Sequence, residues 1–413
     1  TLWRTLSDKR RSITGNNFRM KEDLRMELTN EQRACLGLEL IEPAWERVEI
    51  PNNSVNPERS TGKDILFFDG DILRKVIWLH DSGSFLEDSW RLKTQDNRTM
   101  IAPITAKGKS RRLNGVNIQR CTPYGMYFSF GGGQEQKGGM TLANYTTQRT
   151  YYSSGFAGVP AMDEEGLLKF LDQWIADTDA EDLAEIQAFA GAKRRRCKYR
   201  EGDFFRFRYD RRNYGYGRIL LDVRQFIKDG GEFWNILMGK ALCISIFHII
   251  TEDPNLSIDE LQKLRSCPSE YMMDNRFYYG EYEIIGHAPL PEDPEEIDYP
   301  IMYGRSISGR DSNKICYCRG KDYREIPLEG NEVLKKDFKK NGISYGPRID
   351  RTLVRKCIKA GSNEPFWENE PKVSCTYDLR NPAYEKELEF VRKQMGVQAA
   401  VSGTGTNTGK YKF

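Results

Sequence analysis

Lys198 to Leu221 reads KYREGDFFRFRYDRRNYGYGRILL, and the alternation inside it decides the fold of its half of the chain. From Phe205 through Arg206, Phe207 and Arg208 to Tyr209, aromatic and basic residues change places at every step. Successive side chains of a strand point to opposite faces, so the three rings share one face and the two guanidiniums the other. A slip of one residue would bury both charges, which makes the register well specified. Asp210 to Asn213 form a polar turn, and Tyr214 to Leu221 returns as a second strand. Gly215 and Gly217 fall on one face of that return, leaving room for another backbone or a bulky side chain.

Working outward toward the C-terminus, Trp234 to Ile250 reads as further buried strand and Phe277 to His287 as an aromatic strand. Ser257 to Leu264 is a helix announced by a capping box of Ser257 with Glu260. A last helix opens with Pro382 in its first turn and stops at Gly396. Val397 to Phe413, rich in Gly and Thr, reads as a disordered tail.

Toward the N-terminus the pattern is mostly sheet. Thr29 to Gly37 is a short helix with a Thr29/Gln32 capping box and a glycine terminator. Ile65 to Phe68 and Ile72 to Leu79 form a hairpin across Asp69 and Gly70, and further strands are expected at Met100 to Ile104, Met126 to Phe130 and Asn144 to Tyr152. Gly131 to Gly139, GGGQEQKGG, has little side-chain bulk and reads as a mobile or partner-ordered loop. Leu167, Leu168, Leu171, Trp174 and Ile175, then Leu183, Ile186 and Phe189, recur at helical intervals. The expected fold class is α+β, with two domains, each a mostly antiparallel twisted sheet or partial barrel flanked by short helices. Residues 1–192 form the first, 193–396 the second and 397–413 the tail, with the basic run Lys193 to Arg196 at the boundary.

A chain of 413 residues exceeds the usual span of a single core. Its 38% hydrophobic and 12% aromatic content is ample for two, and its 30% charged share is that of an ordinary soluble surface. The longest apolar run, Ala241 to Ile250, is far shorter than the ~20 residues that span a bilayer. Thr1 to Leu28 is basic and polar with no stretch resembling a signal peptide, so a cytoplasmic location is expected. Nine cysteines at irregular spacing read as reduced thiols. Cys316 and Cys318 share a strand face, yet no His or second Cys pair stands nearby at ligand spacing, so no metal is expected.

Basic and acidic residues nearly balance, 63 against 60, which argues against a dedicated nucleic-acid binder. They are unevenly placed, however. Lys193 to Arg218 carries eleven basic residues against Glu201, Asp203 and Asp210. Glu292, Asp293, Glu295, Glu296 and Asp298 crowd one proline-rich loop. Such polarity favours oriented docking on a charged partner.

Catalytic spacing is sparse. His248 sits inside an apolar run and reads as a core residue, and no nucleophile motif accompanies His287. His80, followed by Asp81, Ser82 and Ser84, is the best candidate by residue type, but such neighbours in sequence rarely converge as a triad must. STGK at Ser60 to Lys63 has Pro57 where a phosphate loop needs glycine, and Asp64 where it needs Ser or Thr. GGGQEQKGG lacks the spacing of a dinucleotide loop, and GRSISG at Gly304 to Gly309 has Ser308 in place of the second glycine of a nucleophile elbow. No catalytic residue, cofactor or metal ligand is therefore assigned. The rings and arginines of Tyr199 to Tyr216 could in principle stack bases, but their segregation to opposite faces is also that of a half-buried sheet.

Lys198, Gly202, Asp203, Phe205, Tyr214, Gly215, Gly217 and Arg218 resemble the opening of the immunity protein 26 family of bacterial polymorphic toxin systems. Gly280 to Pro289, with Ile285, Gly286 and His287, is similar to that family's second half. The resemblance covers roughly Lys198 to Leu328, about a third of the chain. The long N-terminal region and the insert from Cys243 to Pro268 depart from it. Upstream, Leu28 to Glu49 and Gly108 to Ile118 resemble segments of other bacterial immunity proteins.

What the resemblance implies is an antitoxin that binds a cognate protein toxin stoichiometrically, with no nucleic-acid or membrane partner and no catalytic residues to carry over. Exposed loops carry binding function disproportionately, so Gln134, Glu135 and Gln136, with Glu292, Asp293, Glu295, Glu296 and Asp298, are the expected partner-binding residues. The alternatives are an enzyme that reverses the toxin's modification through the His80 region or the His287 cleft, and a nucleic-acid binder built on Lys193 to Arg212.

Overall fold

The first capping box forms as its residues dictate. In the computed structural model, which describes residues 27–51, 63–80, 84–105, 107–132, 137–225, 240–306, 314–327, 342–343, 350–368 and 378–397, helix α1 spans Asn30–Cys35. The Gln32 N–H donates to Thr29 Oγ1 at 3.1 Å and the Thr29 N–H to Gln32 Oε1 at 2.8 Å, satisfying first-turn amides that have no partner inside the helix. Gly37, at φ +65°, takes the left-handed turn out of it.

Nine antiparallel strands follow: β1 (Glu46–Pro51), β2 (Lys63–Asp69), β3 (Ile72–Leu79), β4 (Phe85–Gln95), β5 (Met100–Ile101), β6 (Arg111–Arg112), β7 (Tyr124–Phe130), β8 (Met140–Asn144) and β9 (Arg149–Ser153). They pair in the order β1-β2-β3-β4-β7-β8-β9, with β5 and β6 branching from β4. The strand expected over Met100 to Ile104 shrinks to two residues. The one expected over Asn144 to Tyr152 is two strands joined by a turn, in which the Asn144 side chain accepts the Thr147 N–H at 3.1 Å and Gln148 adopts φ +61°.

Between β6 and β7 lies helix α2 (Gly115–Gln119), and after β9 come α3 (Ser154–Ala157), α4 (Glu164–Ala176) and α5 (Ala180–Ala190), the last two capped by Asp163 and Asp179. One face of the sheet, with Ile65, Phe67, Ile77, Phe128 and Leu142, packs on Leu167, Leu171, Trp174 and Ile186 of α4 and α5. Leu168, which the periodicity counts inward, is 39% exposed, because the stripe the sheet covers is narrower than the apolar run. The other face, with Leu66, Phe68, Val76, Trp78 and Trp90, is closed by Ile101 of β5 and Ile118 of α2.

The alternating stretch forms β10 (Asp203–Arg208) and β11 (Tyr214–Asp222), with Phe205 opposite Gly217 and Phe207 opposite Gly215. With β12 (Ala241–Thr251), β13 (Glu270–Met273) and β14 (Glu283–His287) they make a five-stranded antiparallel sheet ordered β13-β12-β11-β10-β14. Phe205, Phe207 and Tyr209 are buried, and Arg206 and Arg208 lie on the opposite face. The glycines face those rings: a Cβ at Gly215 would stand 2.5 Å from Phe207 Cζ, and one at Gly217 would stand 2.4 Å from Phe205 Cζ.

Helix α6 (Ile258–Leu261) carries the Ser257/Glu260 capping box but is shorter than expected. The run from Phe277 to His287 is not one strand. Helix α7 (Asn275–Tyr278) takes its start, and Gly280, at φ +70°, turns the chain into β14. The buried strand expected before Ala241 falls on residues 234–239, outside the described ones.

A third sheet comprises β15 (Ile301–Ser306), β16 (Lys314–Arg319), β17 (Asp322–Pro327) and β18 (Gly342–Ile343), ordered β17-β16-β15-β18, with β15 and β18 parallel. Leu221, Val223, Cys243 and Tyr271 of the second sheet's segment share a core with Met302, Cys316 and Cys318 of the third. Helices α8 (Arg351–Ala360), α9 (Glu364–Trp367) and α10 (Glu385–Met395) complete the described chain, α10 ending at Gly396 with φ +64°. The architecture is α+β, with open sheets, none closed into a barrel. The expected tail lies outside the described residues from 398 onward, and no described helix is long and apolar enough to cross a membrane.

Candidate partner-binding surface

The acidic loop leaves β14 and enters β15, and both of its ends are fixed. At its start the Arg218 guanidinium, buried against the Phe204 ring at 4.7 Å, donates to the carbonyls of Ala288 and Pro289, both at 2.8 Å. At its end Ile297 and Tyr299 are buried. Between these anchors Asp293 accepts the Glu295 N–H at 2.9 Å, capping a single 3-10 turn over Pro294–Glu296. The turn holds Glu292, Asp293, Glu295 and Glu296 at the surface.

Two of the five acidic side chains have basic partners within the protein. Glu295 pairs with Arg319 at 2.9 Å. Asp298 accepts the Ser269 N–H at 2.9 Å and pairs with Arg380 at 2.8 Å, so its carboxylate ties the loop to β13 and to the segment before α10. Glu292, Asp293 and Glu296 form no ion pair among the described residues and present an anionic face to solvent. Gln134, Glu135 and Gln136 lie outside the described residues.

The histidines do not come together. His248 Nε2 lies 2.8 Å from Asn363 Oδ1, linking β12 to the start of α9, and burial lowers its pKa. His287 Nδ1 lies 2.8 Å from Asp203 Oδ1, where β14 crosses the start of β10, and the ring packs on Gly202. His80 is exposed, and Asp81 and Ser82 lie outside the described residues. Cys316 and Cys318 are fully buried in the core between the second and third sheets, and no group of three or more metal-ligating side chains is found among the described residues.

The hairpin part of the basic stretch is turned onto the N-terminal half, whereas Lys193 to Arg196, Lys198 and Arg200 are exposed. At the tip of the β10–β11 hairpin, Arg211 donates to the Trp174 carbonyl at 3.0 Å and to Thr178 Oγ1 at 2.6 Å, and Arg212 pairs with Asp182 at 2.6 Å. Arg208 pairs with Glu185 of α5. Phe204, Phe205, Phe207, Tyr209 and Tyr216 of the same hairpin are at most 1% exposed, and of its rings Tyr214 alone is half-buried. Sequence reasoning missed this junction. The surplus of arginine over Lys193 to Arg218 was its signal, but a charge run does not name its own counterion.

Among the described residues the geometry is thus that of a scaffold with buried polar locks and a solvent-facing anionic loop. Residues 200–313 match the family model of Immunity protein 26, a span that covers β10 to β15 and the whole acidic loop. No curated protein and no solved structure shows significant similarity to the chain.

Proposed function

We propose that the chain is an immunity protein that neutralises a cognate bacterial toxin in the cytoplasm by stoichiometric binding, without turnover of its own. The observation that carries this reading is the match of residues 200–313 to Immunity protein 26. The anionic face of Glu292, Asp293 and Glu296 supports it, because an exposed, anchored, single-sign loop steers a cationic partner and fixes its orientation. In this proposal the chain has two domains, 1–192 and 193–396, and a second contact is made by the Gln134 to Gln136 loop. Joining two weak sites in one chain multiplies affinity by ~10² to 10⁴ without any better contact.

The test is coexpression with the toxic protein encoded beside it. Rescue of growth should require equimolar protein and yield a one-to-one complex by light scattering. Replacing His80, His248 and His287 with Gln, with folding intact, should leave rescue unchanged. Rescue by far less than one equivalent, or its loss in the histidine variant, would establish chemistry in place of binding.

A further inference from the structure

A cleft of about 310 Å³ lies where the N-terminal half meets the rest of the chain, walled by β9 and α5 on one side and by β10 and the approach to β14 on the other. Four carboxylates line it, and each already has an arginine. Glu185 pairs with Arg208, Glu281 with Arg276, Glu283 with Arg206 at 2.9 Å, and Asp210 with Arg355 at 3.7 Å. Three lining guanidiniums remain, those of Arg149, Arg195 and Arg351, and none forms an ion pair among the described residues.

One of the three is buried and a second half-buried. Arg351 is 6% exposed, lies over the Phe156 and Phe207 rings at 4.5 and 4.7 Å, and among the described residues donates to neutral oxygens, the Arg208 carbonyl and Tyr282 Oη, both at 3.0 Å. Arg149 is half-buried over the Phe189 ring at 5.0 Å, and its Nε has no hydrogen-bond partner. Burial, with Arg195 and Arg208 nearby, lowers its pKa against the opposing pull of Glu283, which is already paired with Arg206. A buried cation without a counterion is costly, and the cost falls when an anion enters. Guanidinium forks match phosphate oxygens. Three of them exceed what one carboxylate neutralises, and the volume is at the lower end of small-ligand pockets, roughly 300 to 1,000 Å³.

We propose that this cleft binds a small phosphate-bearing anion, either free phosphate or a nucleotide's phosphate ester, held by Arg149, Arg195 and Arg351 and so bridging the two halves of the chain. The site is independent of toxin binding, and its test involves no toxin.

Calorimetric titration of the full chain at fixed ionic strength uses sodium pyrophosphate and AMP as separate probes. Saturable one-to-one binding of at least one is expected. It should weaken roughly tenfold or more in Arg149→Gln and in Arg195→Gln, the latter an exposed position whose replacement leaves packing intact, and stay unchanged in Arg111→Gln on β6. Tighter binding of AMP identifies a nucleotide ester as the ligand, and equal or tighter binding of pyrophosphate identifies the phosphate group itself. Absence of saturable binding by both probes, or undiminished affinity in both cleft variants, overturns the proposal. Binding of a hexaglutamate peptide with neither phosphate probe bound overturns it as well, and assigns the cleft to an acidic stretch of a protein.

Discussion

The Arg33 guanidinium grips the Glu87 carboxylate with two parallel hydrogen bonds, Nε to Oε1 at 2.8 Å and Nη2 to Oε2 at 3.0 Å. Lys75 Nζ adds a third contact at 2.7 Å, and all three side chains are at most 3% exposed. Because Arg33 belongs to α1, Glu87 to β4 and Lys75 to β3, the cluster docks the first helix on the sheet. Removing the one fully buried anion leaves Lys75 without its carboxylate and Arg33 with only the half-exposed Glu27 at 4.0 Å, so Glu87→Gln should cost about 3 to 5 kcal/mol. Arg33→Met, which keeps the Lys75 pair, should cost less. Urea midpoints of the two variants give the comparison, and the reverse order would show that the cluster is not organised around its carboxylate.

On the opposite face of the same sheet, Asp88 accepts hydrogen bonds from the Trp78 and Trp90 indoles. Burial outweighs those bonds and pushes its pKa up to about 7, and burial pushes Asp64 up to about 6, both from 3.8. An acid with a raised folded pKa opposes folding only once ionised. Its penalty is absent below the unfolded pKa, grows as pH rises through the interval, and is constant above the folded pKa. Stability should therefore fall as pH rises from about 4 to 7. Asp88→Asn should flatten most of that slope in thermal melts, leaving a remainder from Asp64, and an equally steep curve in the variant would remove Asp88 as its cause.

Gly217 and Gly215 differ in what a methyl group would meet. At Gly217 it would stand 2.3 Å from the Ser245 carbonyl oxygen as well as against Phe205, whereas at Gly215 its three nearest neighbours are all atoms of the Phe207 ring. Backbone yields less readily than a ring. Gly217→Ala should cost about 1 to 3 kcal/mol or more, and Gly215→Ala less, in denaturant titrations.

The acidic loop divides by function in the same way. Replacing Glu292, Asp293 and Glu296 together with Lys should lower stability only by the loss of the Asp293 cap, about 1 kcal/mol, and weaken toxin binding, chiefly through the on-rate and most strongly at low salt. Asp298→Asn should instead lower stability by about 1 to 3 kcal/mol, since Arg380 loses one of its two carboxylates. Surface plasmon resonance at two salt concentrations checks the first, and a melt the second. Identical toxin affinity for the triple variant at low salt removes the loop from the interface.

Much of the fold was legible because each local rule had one reading. Alternation fixed the β10 register, the glycine pair announced the packed rings, and the capping boxes at Thr29 and Ser257 placed two helix starts. The failures have equally local causes. The turn between β8 and β9 contains neither Gly nor Pro, since Gln148 itself takes the left-handed conformation, so nothing in composition marked the break. The single helical turn at Asn275–Tyr278 is built from aromatics that also suit a strand. In the acidic loop, sequence showed the charge but not the partners, and only structure separates Asp298, tied to Arg380 and Ser269, from its exposed neighbours.

The seating of Arg211 and Arg212 on α4, α5 and the turn between them has a consequence for any shortened version of this chain. Cut away the first 192 residues, and the hairpin tip keeps its guanidiniums but loses Asp182, Thr178 and the Trp174 carbonyl that mask them. The fragment would then carry a bare cationic knob at its hairpin tip and cling to heparin or DNA in dilute salt more tightly than the intact molecule, an adhesiveness manufactured by truncation.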